Sequence, residues 1–153
     1  MLQLKLKDME AKELMIGDWV KATYTEIDNN ENEHKCYTYC KVSSIGDDGT
    51  FVGTDKCFSV QVFDDVDVES LEEAKPIPLT KEILEKNGAT IISQSWESTW
   101  YRLCGCVDVL SKDIEHTLHI RVAFYEFELK YVHQLQHALR LCGLTELSDN
   151  FKL

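Results

Sequence analysis

The segment Pro76–Gly88, P-I-P-L-T-K-E-I-L-E-K-N-G, limits the possible folds more than any other stretch of this chain. Pro76 and Pro78 each push the residue before them toward extended backbone. Thr80 is then placed to cap a helix that begins at Lys81. Leu79 and Leu84 occupy the two positions of a hydrophobic staple, and Glu82 lies where the helix dipole favours an acid. Asn87-Gly88 supplies a left-handed exit. Two turns fall well below the roughly 12–15 residues at which an isolated helix becomes even marginal. Ile83 and Leu84 must therefore dock on something. The segment reads as a hinge-and-brace between a β module, residues 1–75, and an α/β module, residues 76–153, either separate or sharing one core.

The flanks read differently. Residues 1–13 mix Leu with Lys and Glu and suit a strand or a frayed arm. From Leu14 the text turns β, with Gly17-Asp18 as a turn and then a run of β-branched and aromatic residues. Asp28–His34 is a polar hairpin tip, Lys35–Ile45 a returning strand, and Gly46–Gly49 a second turn before Thr50–Gly53. Cys57–Phe63 alternates, with Phe58, Val60 and Val62 on one face. Beyond Gly88, strands are expected at Thr90–Trp96, Trp100–Leu110 and Leu118–Phe127, with a turn at Ser111–Asp113. On the last strand Leu118, Ile120, Val122 and Phe124 share a face opposite His119, Arg121 and Tyr125. A helix over about Leu129–Leu141 carries an apolar stripe of Tyr131, Val132, Leu135, Ala138, Leu139 and Cys142. Gly143 ends it, Leu144 is placed for a Schellman contact, and the tail to Leu153 reads as loose. The expected class is α+β: a small N-terminal SH3-like β barrel or bent sheet, then a helix–β-hairpin–helix unit.

Charge narrows the function. Twenty-seven acids against sixteen bases give a net charge of -11, which argues against direct nucleic-acid or anionic-membrane binding, since both need clustered Lys and Arg. The N-terminal M-L-Q-L-K-L-K-D-M-E has no continuous apolar core and no run approaches a membrane span, so the expected location is cytoplasmic. There the six cysteines are expected to stay reduced.

Candidate chemistry is sparse. His133 and His137 share a helix face and form a two-ligand metal candidate, but the Glu of an H-E-x-x-H site is missing. A polar helix face of His, Gln and Arg140 is the favoured reading, and no cofactor is expected. Cys104-Gly105-Cys106 with Cys36 and Cys40 lacks zinc-ribbon spacing, so core packing is favoured. The acids from Asp64 to Glu73, among them Asp65, Asp67 and Glu69, do not fit a calcium loop, because Ser70 and Pro76 stand where Gly and Glu are needed. They suit a solvated edge or a ridge that imitates a phosphate backbone. Trp96 and Trp100, in S-W-E-S-T-W-Y-R, suit interface anchors or core-edge residues. Phosphate-binding loops, dinucleotide fingerprints and nucleophile elbows are absent from the sequence.

Three pieces carry a resemblance: I-G-D-W-V at Ile16–Val20, the Pro76–Gly88 segment, and K-Y-V-H-Q-L-Q-H-A-L at Lys130–Leu139. Together they resemble a family of small uncharacterised proteins of gut-bacterial genomes and their prophages. The resemblance implies a bacterial or phage setting and carries no activity or functional residues. The leading expectation is a non-enzymatic protein-interaction module of phage or mobile-element origin, with a protein partner. The alternatives are an acidic nucleic-acid mimic that inhibits a host enzyme, and a metal-binding protein or enzyme using His133 and His137.

Overall fold

Strands dominate and short helices close the chain, so the class is mixed α+β. The computed structural model describes residues 14–45, 51–54, 59–62, 73–104, 107–122 and 125–153. Backbone contacts divide the chain into two compact units, Met1–Ile77 and Pro78–Leu153, with the division inside the proline-rich hinge.

The first unit holds β1 (Trp19–Ile27), β2 (Glu33–Ile45), β3 (Phe51–Thr54), β4 (Ser59–Val62) and β5 (Glu73–Lys75). β1 and β2 pair antiparallel from Trp19↔Lys41 to Ile27↔Glu33. β2–β3 and β3–β4 continue antiparallel, β4–β5 is parallel, and β5 returns to pair with β1, so the pairing order closes on itself. Alternation fixes which side faces in. Val20, Ala22, Cys40 and Val42 are buried, while Tyr37 and Tyr39 are exposed. The I-G-D-W turn is fastened by backbone: Gly17, at φ 92, donates to the Val42 carbonyl at 2.8 Å, and Val42 donates to that of Asp18 at 2.9 Å. The buried Asp18 carboxylate accepts from the Met15 amide at 2.8 Å, which answers part of its desolvation.

The second unit runs α1 (Lys81–Lys86), β6 (Thr90–Gln94), β7 (Ser98–Leu103), β8 (Val107–Lys112), β9 (Thr117–Val122), β10 (Tyr125–Leu129), α2 (Val132–Leu141) and α3 (Thr145–Asp149). The five strands form an open antiparallel sheet in the order β10-β9-β8-β7-β6. α1 begins as its sequence predicts: Thr80 Oγ1 accepts from the Ile83 amide at 3.3 Å, Leu79 and Leu84 are buried, and Gly88 exits at φ 84. Leu84 answers the docking requirement of so short a helix.

Four expectations for this half are corrected. Trp100–Leu110 is not one strand, because β7 ends at Leu103, Cys104 adopts φ 53, and β8 starts at Val107. Leu118–Phe127 likewise splits into β9 and β10, so a sheet stands where a hairpin was expected. Leu129 ends β10 instead of opening the helix, and α2 starts at Val132. The tail is not loose: after a Schellman exit, with Leu144 donating to Leu139 and Gly143 to Arg140, α3 forms and Phe151 is only 2% exposed. Tyr101, Leu103, Val109 and Ile120 on one sheet face, with Leu84, Leu135, Leu139 and Phe151 from the helices and tail, are among the buried apolar residues of this unit.

Candidate functional site

Strand register assigns the other face of the second sheet. Trp100 stands opposite Leu110, Arg102 opposite Asp108, and Leu110 opposite His119. Arg121 then follows between Asp108 and Glu126. Because successive strand side chains alternate, these residues lie opposite the face that buries Tyr101 and Val109. Their charges answer one another. Arg102 grips Asp108 with two bonds, at 2.8 and 3.1 Å, and the pair holds the Asp108 carboxyl below its usual range. Glu126 receives Lys112 at 3.1 Å and His119 at 3.4 Å. The Arg121 guanidinium lies 4.2 Å from the Trp100 ring centroid, so one face of that indole is covered by a cation.

Trp96 is set differently. It sits in the β6–β7 turn, where the Ser95 amide donates to the Ser98 carbonyl at 2.8 Å. Ser95 Oγ accepts from the Glu97 and Ser98 amides at 3.3 and 3.2 Å. The backbone on both sides is thus fastened while the Trp96 side chain is 80% exposed. The two tryptophans share one hairpin but not one environment. Trp100 is a half-buried residue of the sheet face, and Trp96 is an apolar side chain held in solvent on a fixed turn. Beside it β6 is exposed along its whole length, Ile91 and Ile92 included.

The polar helix face is partly buried, with His137 half-exposed. His133 is 2% exposed and Gln136 is fully buried. The reason is tertiary: Gln136 Nε2 donates to the Ser148 carbonyl at 3.0 Å, and Ser148 Oγ donates to the Gln136 carbonyl at 3.0 Å. The chain after α2 therefore covers part of the polar side of the helix. His133 stacks on Tyr131 and meets His137 edge-on, with ring centroids 5.8 Å apart. Among the described residues no three His, Cys, Asp or Glu side chains form a group able to hold a metal.

Core packing accounts for one cysteine of the expected set. Cys40 is buried, Cys36 is half-buried, and Cys104 is exposed. Burial, and then the Glu26 carboxylate 3.6 Å from its Sγ, raise the Cys36 thiol above its usual value. Cys142, expected in the helix stripe, is exposed beyond the last turn of α2. Cys106 lies outside the described residues, as do Asp64, Asp65, Asp67 and Glu69. In the described acidic loop, Asp28 points its carboxylate inward. It accepts from the Asn30 and Asn32 amides at 2.8 and 2.9 Å and meets His34 Nε2 at 3.0 Å, with His34 the first cause of its lowered pKa.

One feature was invisible in the sequence. A cleft of about 260 Å³ is lined by Leu79, Lys81, Glu82, Ser111, Asp113 and His116. Asp113 is its hub: it accepts from Lys81, from Ser111 Oγ at 2.6 Å and from Thr99 Oγ1 at 2.9 Å. Those bonds, Lys81 first, lower its pKa to about 2. Lys81 and Asp113 neutralise each other, so the cleft has no clear preference for an anion or a cation. The closest signals in the sequence, T-K-E and S-K-D, lie about thirty residues apart, and nothing in either announces the other.

No protein-family model, no curated protein and no solved structure matches the chain. Among the described residues no helix is long and apolar enough to cross a membrane.

Proposed function

We propose that this chain is a non-enzymatic protein-interaction module of a bacterial phage or mobile element, docking a protein partner through Trp96. The observation that carries the reading is Trp96 itself, an 80% exposed indole on a turn whose backbone is already fixed. Preorganised aromatic anchors lose little freedom on binding and are frequent hot spots. Trp100 and Arg121 form the neighbouring sheet face, and Ile91 and Ile92 extend the apolar surface along β6. For the first unit we propose the SH3-like arrangement, which its short strands and closing pair order support.

The test is affinity capture from nuclease-treated host lysate at near-physiological salt, comparing the wild-type chain with Trp96→Ala. The expected result is one stoichiometric protein held by the wild type and lost from the variant, with circular dichroism unchanged. Equal capture by both chains, or no partner, overturns the reading. A nucleic-acid enzyme retained by Trp96→Ala but released by charge reversal at Asp64, Asp65, Asp67 and Glu69 would replace it with the acidic mimic.

A further inference from the structure

Two turns meet at one end of the second sheet. β7 pairs with β8 from Ser98↔Lys112, and one step beyond that pair the Asp113 amide donates to the Glu97 carbonyl at 2.9 Å. The β6–β7 turn that carries Trp96 therefore lies beside the β8–β9 turn, Asp113–His116. Each turn places one large apolar side chain in solvent: Trp96 is 80% exposed and Ile114 is 61% exposed.

Both turns are anchored. Ser95 Oγ fastens the first through the Glu97 and Ser98 amides. The second is fixed at Asp113, whose carboxylate accepts from Lys81, Ser111 and Thr99 while its amide bonds Glu97. An apolar side chain already presented on anchored backbone loses less freedom on binding than one on a mobile loop. A single exposed apolar residue is ordinary surface, but two on neighbouring anchored turns make a pair of docking points.

Charge sets the sign of the partner. Glu97 follows Trp96 and Glu115 follows Ile114, and both acids are exposed. Among the described residues neither meets a cation, and the lysines of the flanking elements are committed elsewhere, Lys81 to Asp113 and Lys112 to Glu126. Covering these carboxylates with an apolar surface costs desolvation that only a facing cation offsets. We propose that this end of the sheet docks a basic, apolar segment of a partner protein. Its apolar side chains pack on Trp96 and Ile114, and its Lys or Arg side chains face Glu97 and Glu115. The proposal rests on the Trp96 reading and adds to it a second anchor and the partner's charge. A second copy of this chain fits less well, because two chains of net charge -11 repel.

The test is fluorescence anisotropy of the full chain with a labelled peptide of about fourteen residues, leucine and lysine placed at amphipathic helical spacing. Oligolysine, and the same peptide with glutamate for lysine, are the controls. The leucine–lysine peptide is expected to bind at near-physiological salt, and both controls far more weakly. Trp96→Ala should weaken binding by roughly thirtyfold, the threshold of an interface hot spot, and Ile114→Ser by roughly fivefold. Glu97→Gln with Glu115→Gln should weaken it by about threefold and flatten its salt dependence. All four side chains are exposed, and circular dichroism with an unchanged thermal midpoint checks that the variants fold. Ile114→Thr replaces Ile114→Ser should that variant unfold. No binding overturns the proposal, as does equal binding of either control. Binding that Trp96→Ala retains also overturns it. Loss on Trp96→Ala alone, with Ile114→Ser and the glutamine pair binding normally, overturns the second anchor and the charge. The lysate comparison with Trp96→Ala reads the Trp96 proposal by itself, so the two fail separately.

Discussion

Two β surfaces of this protein carry aromatic and charged side chains, and they use them in opposite ways. On the Trp100 face of the second sheet each described Lys and Arg has an anion or a ring beside it: Arg102 with Asp108, Lys112 with Glu126, and Arg121 over Trp100. On the outer face of β1–β2, Lys21 lies over the Tyr37 ring and Lys41 over the Trp19 ring. Similar residue types thus set cation against anion on one face and cation against ring on the other. What differs is the kind of cross-strand partner, which register alone decides. Exposed ion pairs add little stability, and a cation over an exposed ring adds a similar small amount.

The largest effect should come from behind the Trp100 face. Leu139→Ala removes a fully buried side chain and should lower stability by about 2–5 kcal/mol, measured by chemical denaturation. A loss below about 1 kcal/mol would show that α2 is not part of the packed layer that holds this sheet. Gln136→Ala should cost about 1–3 kcal/mol, because it leaves the buried Ser148 carbonyl without that donor.

Asp113→Asn should cost about 1 kcal/mol at neutral pH, discounted because the Lys81 side chain is 42% exposed. The pH dependence has a definite sign. The Asp113 carboxyl falls from 3.8 to about 2 on folding, so its contribution is complete above pH 3.8 and fades as pH falls through about 2. The difference in thermal midpoint between wild type and variant should therefore be flat from pH 7 to pH 5 and shrink below pH 4. A difference that grows on acidification would contradict the assigned bonding.

The two faces themselves should separate most clearly where the effects are smallest. Trp100→Ala should cost about 1–2 kcal/mol, since it removes a half-buried ring and that ring's contact with the Arg121 cation. Tyr37→Ala should stay within about 0.5 kcal/mol, the range of ordinary surface changes. If Tyr37→Ala costs as much stability as Trp100→Ala does, by chemical denaturation, the contrast between the faces fails.

Local signals carried α1 completely, since Thr80, Leu79, Leu84 and Gly88 act within one or two turns of each other. The Schellman exit at Gly143 was legible for the same reason. Strand count was less so. Cys104 turns the chain with a positive φ that no glycine or asparagine at that position announces. Of the candidate site, Trp96 and Trp100 stood out in the sequence, but the distinction between a solvated indole and one beneath Arg121 did not.

The sequence by itself determined what neighbouring residues settle: the α+β class, the caps, the hinge, and the alternation that gives each strand a buried and an outward side. It also set the net charge of -11, and with it the acidic average of the surface. Tertiary structure decided what depends on pairing between distant residues. Gln136 became a core residue because Ser148 arrives to bond it, although its position on α2 reads as polar surface. Asp113 became a charged hub because α1 delivers Lys81. Lys21 and Lys41 came to lie over Tyr37 and Trp19 because β1 and β2 pair in one register.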